Sequence, residues 1–223
     1  MKEIQIGTFT EFHELIEHYD ARTVIYRGVK SAKFPLLPKI GRIDPPDFVP
    51  SKEENEKEIL RLFKEKAFPY LDFTPASDWD WLAIGQQHGL PTRLLDWTAN
   101  PLVACFFAVE EPTDHDSVIY AYHNESYISV EKHPDPFQYK EVGKFIPTHL
   151  IPRITMQGGL FTIHPDPYKP FESDDMEKIL IPNGIRSTFK RTLNKYGVDR
   201  FSLFPSLDGL SAYIEWSQSK HDG

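Results

Sequence analysis

One cysteine, Cys105, stands in the 223 residues. That excludes an internal disulfide and any zinc site built on several thiolates. Basic residues are also in short supply. Lys and Arg number 25 against 33 Asp and Glu, giving a formal net charge of −8 and a pI near 5.6. Wholesale adhesion to a polynucleotide needs a basic footprint, so only a local basic cleft stays open. No run approaches the roughly 18 apolar residues of a membrane span. The opening MKEIQIGTFTEFHELIEHYD has no apolar core of the signal-peptide kind. A soluble, cytoplasmic protein without a membrane partner is therefore expected. None of the nine histidines has HExxH spacing, so no metal is expected either.

The chain does have apolar and aromatic residues in quantity. The hydrophobic share is 40%, with 16 Phe and 10 Tyr. That is enough to build a sizeable core in one domain spanning residues 1–223. Nineteen prolines imply many short elements and ordered loops. The stretch 79–109, WDWLAIGQQHGLPTRLLDWTANPLVACFFAV, holds Cys105 and three of the four tryptophans. Between its two apolar runs lies a polar string: Gln86, Gln87, His88, Thr92, Arg93, Asp96, Thr98 and Asn100. Unpaired polar groups are costly inside a core, so this stretch is expected to line a cleft. Cys105 lies in the second apolar run and is expected to pack as a small hydrophobe.

Hydrophobic spacing predicts a helix over 8–19, capped by Thr10, with Phe12, Leu15, Ile16 and Tyr19 on one face. A short strand follows at 23–28. Ser51 and Glu54 form a capping box for a helix over 51–66. Its buried stripe is expected at Ile59, Leu62 and Phe63, with its charges solvated. A third helix covers 79–88 and ends at Gly89 and Pro91. Thr92–Trp97 reads as a turn or strand. Pro101 then opens an apolar, central helix. Strands are expected at 117–122, after Gly158-Gly159, and at 177–182. A further helix is expected at 187–196, ended by Gly197, and another near the end of the sequence. Strands and helices without regular alternation indicate an α+β fold, a single compact domain of short mixed strands and several helices.

Chemistry-bearing residues have bland readings as well as sharp ones. Arg27 closes a strand; its planar fork suits phosphate or carboxylate, or it forms a structural ion pair. His88 is a general-base candidate or a helix-end residue. Arg93 and Asp96, three apart, pair with each other, or Arg93 binds an anion while Asp96 orients His88. Trp97 stacks on a ligand ring or fills the core. Thr98 contacts a ligand or caps the helix at Pro101. Gln157 reads a ligand or closes the Gly158-Gly159 turn. Arg153 contacts phosphate or is a surface charge.

Five pieces occur in one order: YRG (26–28), FPLLPKIGR (34–42), QQHGLPTRLLDWTANPLVACFFA (86–108), RITMQGGLF (153–161) and LFPSLDGL (203–210). Together they resemble the FRG domain, over about residues 20–215. The order of motifs is also similar to that of ADP-ribosyltransferases. This second resemblance implies an ADP-ribosyltransferase-like fold and NAD as substrate. Tyr26, Arg27 and Gly28 then match the aromatic-Arg-Gly strand that anchors NAD. Asp96-Trp97-Thr98, running into Ala104–Ala108, is similar to the next strand and helix. Arg27 and Thr98, with Arg93, Trp97 and Arg153, would hold NAD, and His88, Asp96 and Gln157 would complete the catalytic set. The sequence departs from that pattern at Gly159, where a catalytic Glu is expected. The acceptor would be protein, nucleic acid or water, and the FRG setting suggests phage–host conflict. The alternative is a non-catalytic module that binds a nucleotide or a nucleic-acid end. A nuclease built on His88 and Asp96 ranks last.

Overall fold

A computed structural model describes residues 1–147 and 155–219. A single seven-stranded sheet runs through it in the order β1-β7-β4-β2-β3-β6-β5. In chain order the strands are β1 (Lys2–Gln5), β2 (Val24–Val29), β3 (Leu94–Thr98), β4 (Ser117–His123), β5 (Gly143–Phe145), β6 (Gly159–Ile163) and β7 (Met176–Ile181). The helices are α1 (Phe9–Glu17), α2 (Lys52–Ala67), α3 (Asp78–Gln87), α4 (Pro101–Val109), α5 (Arg186–Lys195), α6 (Arg200–Leu203) and α7 (Leu207–Gln218). Only β1 and β7 run parallel; every other neighbouring pair is antiparallel. The architecture is α+β, as the unalternating pattern indicated.

Side chains alternate across the strands and sort into three cores. Val24 and Tyr26 of β2, with Ile119 and Ala121 of β4, pack under α1, α4 and α5. Leu94, Phe161 and Ile163 pack with Leu60 of α2 and Trp79, Leu82 and Ala83 of α3. Ile25, Leu95, Trp97, Tyr120 and Tyr122 point the other way, against Leu36 and Phe171 from loops. The sheet is therefore buried on both faces. Two groups of helices cover different halves of it.

Those halves meet where β2 lies beside β3. The two strands pair at one position only, Tyr26 with Thr98. By contrast β2 pairs with β4 along its whole length, from Val24–His123 to Val29–Val118. The reason for its position lies at Gly28. A Cβ built there would sit 1.8 Å from the main-chain oxygen of Ala104 and 2.7 Å from the Ala108 nitrogen. Gly28 thus lets the backbone of α4 rest directly on β2. It is a close-packing glycine, and the Gly of YRG is needed before any ligand is considered.

Local expectations hold with adjustments. Ser51 accepts from the Glu54 amide and caps α2. Gly89, at φ +81°, lies just past α3, and Gly197, at φ +74°, just past α5. The first helix is capped by Thr8, whose oxygen accepts from the Glu11 amide, and not by Thr10. The buried side of α2 is Asn55, Glu56 and Leu60, whereas Leu62 is exposed. The expected stripe is rotated because Glu56 has a partner inside the protein. The short strands β1 and β5 carry no alternating apolar signal of useful length and were not foreseen.

Replacing Gly28 with Ala forces α4 off β2 or bends the strand. We expect a loss of about 1–3 kcal/mol of stability, in the overpacking and strain range, read as a lower urea midpoint. Wild-type stability in that variant would disprove the close contact.

Candidate functional site

Where β2 and β3 part, a cleft of about 630 Å³ opens. Its floor is Tyr26–Lys30 and Leu95–Thr98. Its walls come from Gln86 and Gln87 at the end of α3, from Phe107, Glu110 and Glu111 at the end of α4, and from Phe34–Leu37 and Arg42 in the loop after β2. Gln157 and the start of β6 close one end. The polar string between the two apolar helices does line a cleft, through part of its length.

Arg27 crosses the gap between the strands. Its Nη1 donates to the Asp96 main-chain oxygen at 2.6 Å and lies 3.5 Å from the Asp96 carboxylate. Its Nε is buried and meets no acceptor among the described residues. Asp96 is also the acceptor for Gln86, whose Nε2 donates at 2.7 Å. The Thr92 hydroxyl donates to Gln86 Oε1 at 2.6 Å. This fixes the amide so that its NH₂ faces Asp96. The Asp96 side chain is 45% exposed and the Arg27 side chain 20%. A carboxylate is thus held from behind and left open to the cleft in front.

A second guanidinium faces the same space. Arg42 is anchored by Nε and Nη2 to the Leu37 carbonyl, at 3.0 and 2.6 Å. Burial and then the neighbouring Arg27 charge lower its pKa, while Asp96 acts in the opposite sense. Two cations sharing one half-exposed carboxylate leave a net positive corner suited to an anion. On the α4 side Glu110 and Glu111 border the cleft, each compensated by a cation. Glu111 pairs with Lys30 at 2.6 Å and Glu110 with Arg200.

The expected site residues divide. Tyr26, Arg27, Gly28, Asp96, Trp97, Thr98 and Gln157 all border the cleft. His88 does not; it is the exposed C-cap of α3, and its helix-end reading is the one the structure supports. Arg93 does not either. It forms a buried fork with Glu56, at 2.8 and 2.7 Å, 4% and 1% exposed. The expected Arg93–Asp96 pairing is absent because Asp96 is held by Gln86 and Arg27 instead. Arg153 lies outside the described residues. Thr98 has its hydroxyl occupied: it donates to the Gln157 carbonyl at 2.6 Å and accepts from the Asn100 amide at 2.9 Å. The cap of α4 is Asn100, not Thr98. Gln157 donates its amide to the Leu203 carbonyl at 3.1 Å.

Trp97 is a core residue whose indole N–H donates to Thr162 at 2.7 Å. Thr162 Oγ1 in turn lies 2.9 Å from His164 Nε2. Accepting from Trp97 leaves the Thr162 hydroxyl its proton and a second lone pair, so the direction of its bond to His164 follows the tautomer of that ring. Burial, then the charges of Arg27 and Arg93, pull the His164 pKa down to about 3. Cys105 is fully buried and burial pushes its thiol pKa up, so it packs as a hydrophobe.

Sequence reasoning noted Gln86 and Gln87 but gave neither a place in the site. It missed Arg42, Glu110 and Glu111 there. FPLLPKIGR carried Arg42 in plain view; nothing local said that the loop folds back over β3.

The segment that supplies most of this cleft also carries the family signature. Residues 22–117 match the FRG domain. The FRG match takes in β2, Arg42, α2, α3, β3 and α4, and stops as β4 begins. Gln157 and the 203–210 segment lie beyond it. Comparison with curated proteins yields no match, and comparison with solved structures yields none. No helix among the described residues is long and apolar enough to cross a membrane, and no group of three or more metal-ligating side chains is found among them.

Two outcomes follow from these contacts. Arg93→Ala strands Glu56 in the core and should cost about 3–5 kcal/mol, as for other broken buried pairs, measured by chemical unfolding. His164 stays neutral when folded but gains a proton when unfolded below about pH 6.5. The unfolded state therefore binds more protons between that pH and about pH 3. Wild-type stability should fall with decreasing pH across that window, by at most about 1.4 kcal/mol per unit from this group. His164→Gln should flatten that part of the profile; an unchanged slope would refute the assignment.

Proposed function

We propose that this FRG-domain protein binds a nucleotide in the β2–β3 cleft and is an NAD-using enzyme of ADP-ribosyltransferase type. One observation carries the reading: Arg27 and Asp96 meet in a gap between two strands, the cation backed by Arg42 and the carboxylate by Gln86. Arg27 and Arg42 would take the phosphates. Asp96 would stabilise the positive charge that develops at the ribose carbon as nicotinamide leaves. It would do so without the glutamate missing at Gly159. The half-exposed carboxylate is already oriented, so little reorganisation is needed in the transition state. The acceptor for the ADP-ribosyl group would be protein, nucleic acid or water, and phage–host conflict is the setting that the family suggests.

A second reading has its own support. The carboxylate expected two residues after Gln157 is a glycine, and Gly159 lies in the cleft lining. A cleft with the anion clamp alone would recognise a nucleotide and leave it unchanged.

Nicotinamide release from NAD, followed by mass spectrometry with lysate, RNA and DNA supplied as acceptors, separates the two. Release by the wild type should fall about 100-fold in Arg27→Ala and in Asp96→Asn, a change of about 3 kcal/mol in transition-state stabilisation. No release by the wild type, together with a thermal shift on NAD that Arg27→Ala abolishes, would replace the enzyme with the binding module. Neither release nor shift would overturn both.

A further inference from the structure

The loop after β2 brings more than Arg42 to the cleft. Phe34 borders it too and is 48% exposed. A single phenylalanine on an open surface is ordinary, but this one is displayed by a braced loop. The Phe34 amide donates to the Ser31 carbonyl at 3.1 Å, and the Leu37 amide donates to the Pro35 carbonyl at 2.8 Å. Ser31 and Leu36 are buried, and the Leu36 carbonyl accepts from the Phe171 amide at 2.7 Å. The loop is thus pinned on both sides of Phe34, and Pro35 fixes one more backbone angle. An apolar ring is held at the lip of a cavity without being drawn into a core.

The charges around the cleft set what the rest of a ligand can be. Lys30 is paired with Glu111, and Glu110 with Arg200. Arg27 and Arg42 have the carboxylate of Asp96 between them. Arg42 is exposed, and its Nη1 meets no acceptor among the described residues. Its guanidinium rests on the Leu37 carbonyl, three residues along the chain from Phe34. Three residues span at most about 11 Å, and the turn from Pro35 to Leu37 shortens that path. The anion corner and the exposed ring therefore belong to one loop and border one cleft. We propose that Phe34 is a specificity-determining residue: it stacks on a flat base while the phosphates of the same ligand lie against Arg27 and Arg42. The ligand class is then a nucleoside diphosphate or an ester of one, rather than an open-chain or sugar phosphate. This inference rests on the nucleotide reading of the cleft.

The test measures binding of ADP and of inorganic pyrophosphate to the full chain by calorimetry. Phe34→Ala should weaken ADP about tenfold or more, as for other lost base–aromatic stacks, and leave pyrophosphate unchanged. Phe34→Trp, which keeps a ring at the lip, should retain ADP binding. Arg42→Ala should weaken both ligands. Phe34 is exposed, so its variants should keep the wild-type Tm. Undiminished ADP binding to Phe34→Ala would overturn the role of the ring and leave the nucleotide reading standing. So would an equal loss of ADP and pyrophosphate, which marks a disturbed loop and not a lost stack. Wild-type protein that binds neither ligand would remove the nucleotide reading and this inference with it.

Discussion

The contact between α4 and β2 at Gly28 governs the rest of the molecule. With no side chain in the way, the Ala104 carbonyl and the Ala108 amide come to rest on the strand. That contact commits β2 to α4 and to a full ladder with β4. β3 is committed elsewhere, by its ladder to β6 and by the α2–α3 core. Two strands with such separate allegiances touch at one pair and then part. The cleft is the consequence, and β2 and β3 each bring a charged residue to it.

Buried charge is used in two ways around this opening. The Arg93–Glu56 fork is sealed off and ties α2 to β3, so it holds a wall in place without reaching the cleft. Arg186 does similar service on the α4 side. Its guanidinium caps carbonyls of Ala108 and Glu111 and meets Ser117 Oγ at 2.6 Å. Pairs and carbonyl cages of this kind are costly to break, because a lone buried charge has nowhere to go. Arg27 differs from both. It keeps a buried Nε with no acceptor among the described residues, and its distance to the Asp96 carboxylate is 3.5 Å. A guanidinium held in position with donor capacity in reserve is suited to an outside anion.

The cleft also has a positive corner. Arg27 and Arg42 share it with the single carboxylate of Asp96, whereas Glu111 and Glu110 at the α4 wall are compensated by Lys30 and Arg200. The net charge of −8 gives no hint of this local excess. An overall acidic protein can present a compact positive corner once a loop such as 34–42 is brought back over the sheet. Such a corner suits a short multiply charged ligand better than a polynucleotide track.

Much was legible in the linear chain because it depends on neighbours in sequence. Ser51 and Glu54 announced a helix start, Gly89 and Gly197 helix ends, and the apolar run after Pro101 a central helix. The YRG motif and the 86–108 stretch pointed to Arg27, Asp96 and Thr98. What the sequence could not reveal was which charges would be paired across long separations. Glu56 sat in a run that read as a solvated face, yet it is the partner of Arg93, 37 residues away. His88 looked like chemistry and is a helix cap, because the turn at Gly89 carries it to the surface. Arg42, Glu110 and Glu111 entered the site only through the path of the backbone. Local spacing therefore determined the elements, their ends and the apolar faces. Tertiary packing, through the contact at Gly28 and the parting of β2 from β3, decided which polar side chains share one cleft and which are locked away in the core.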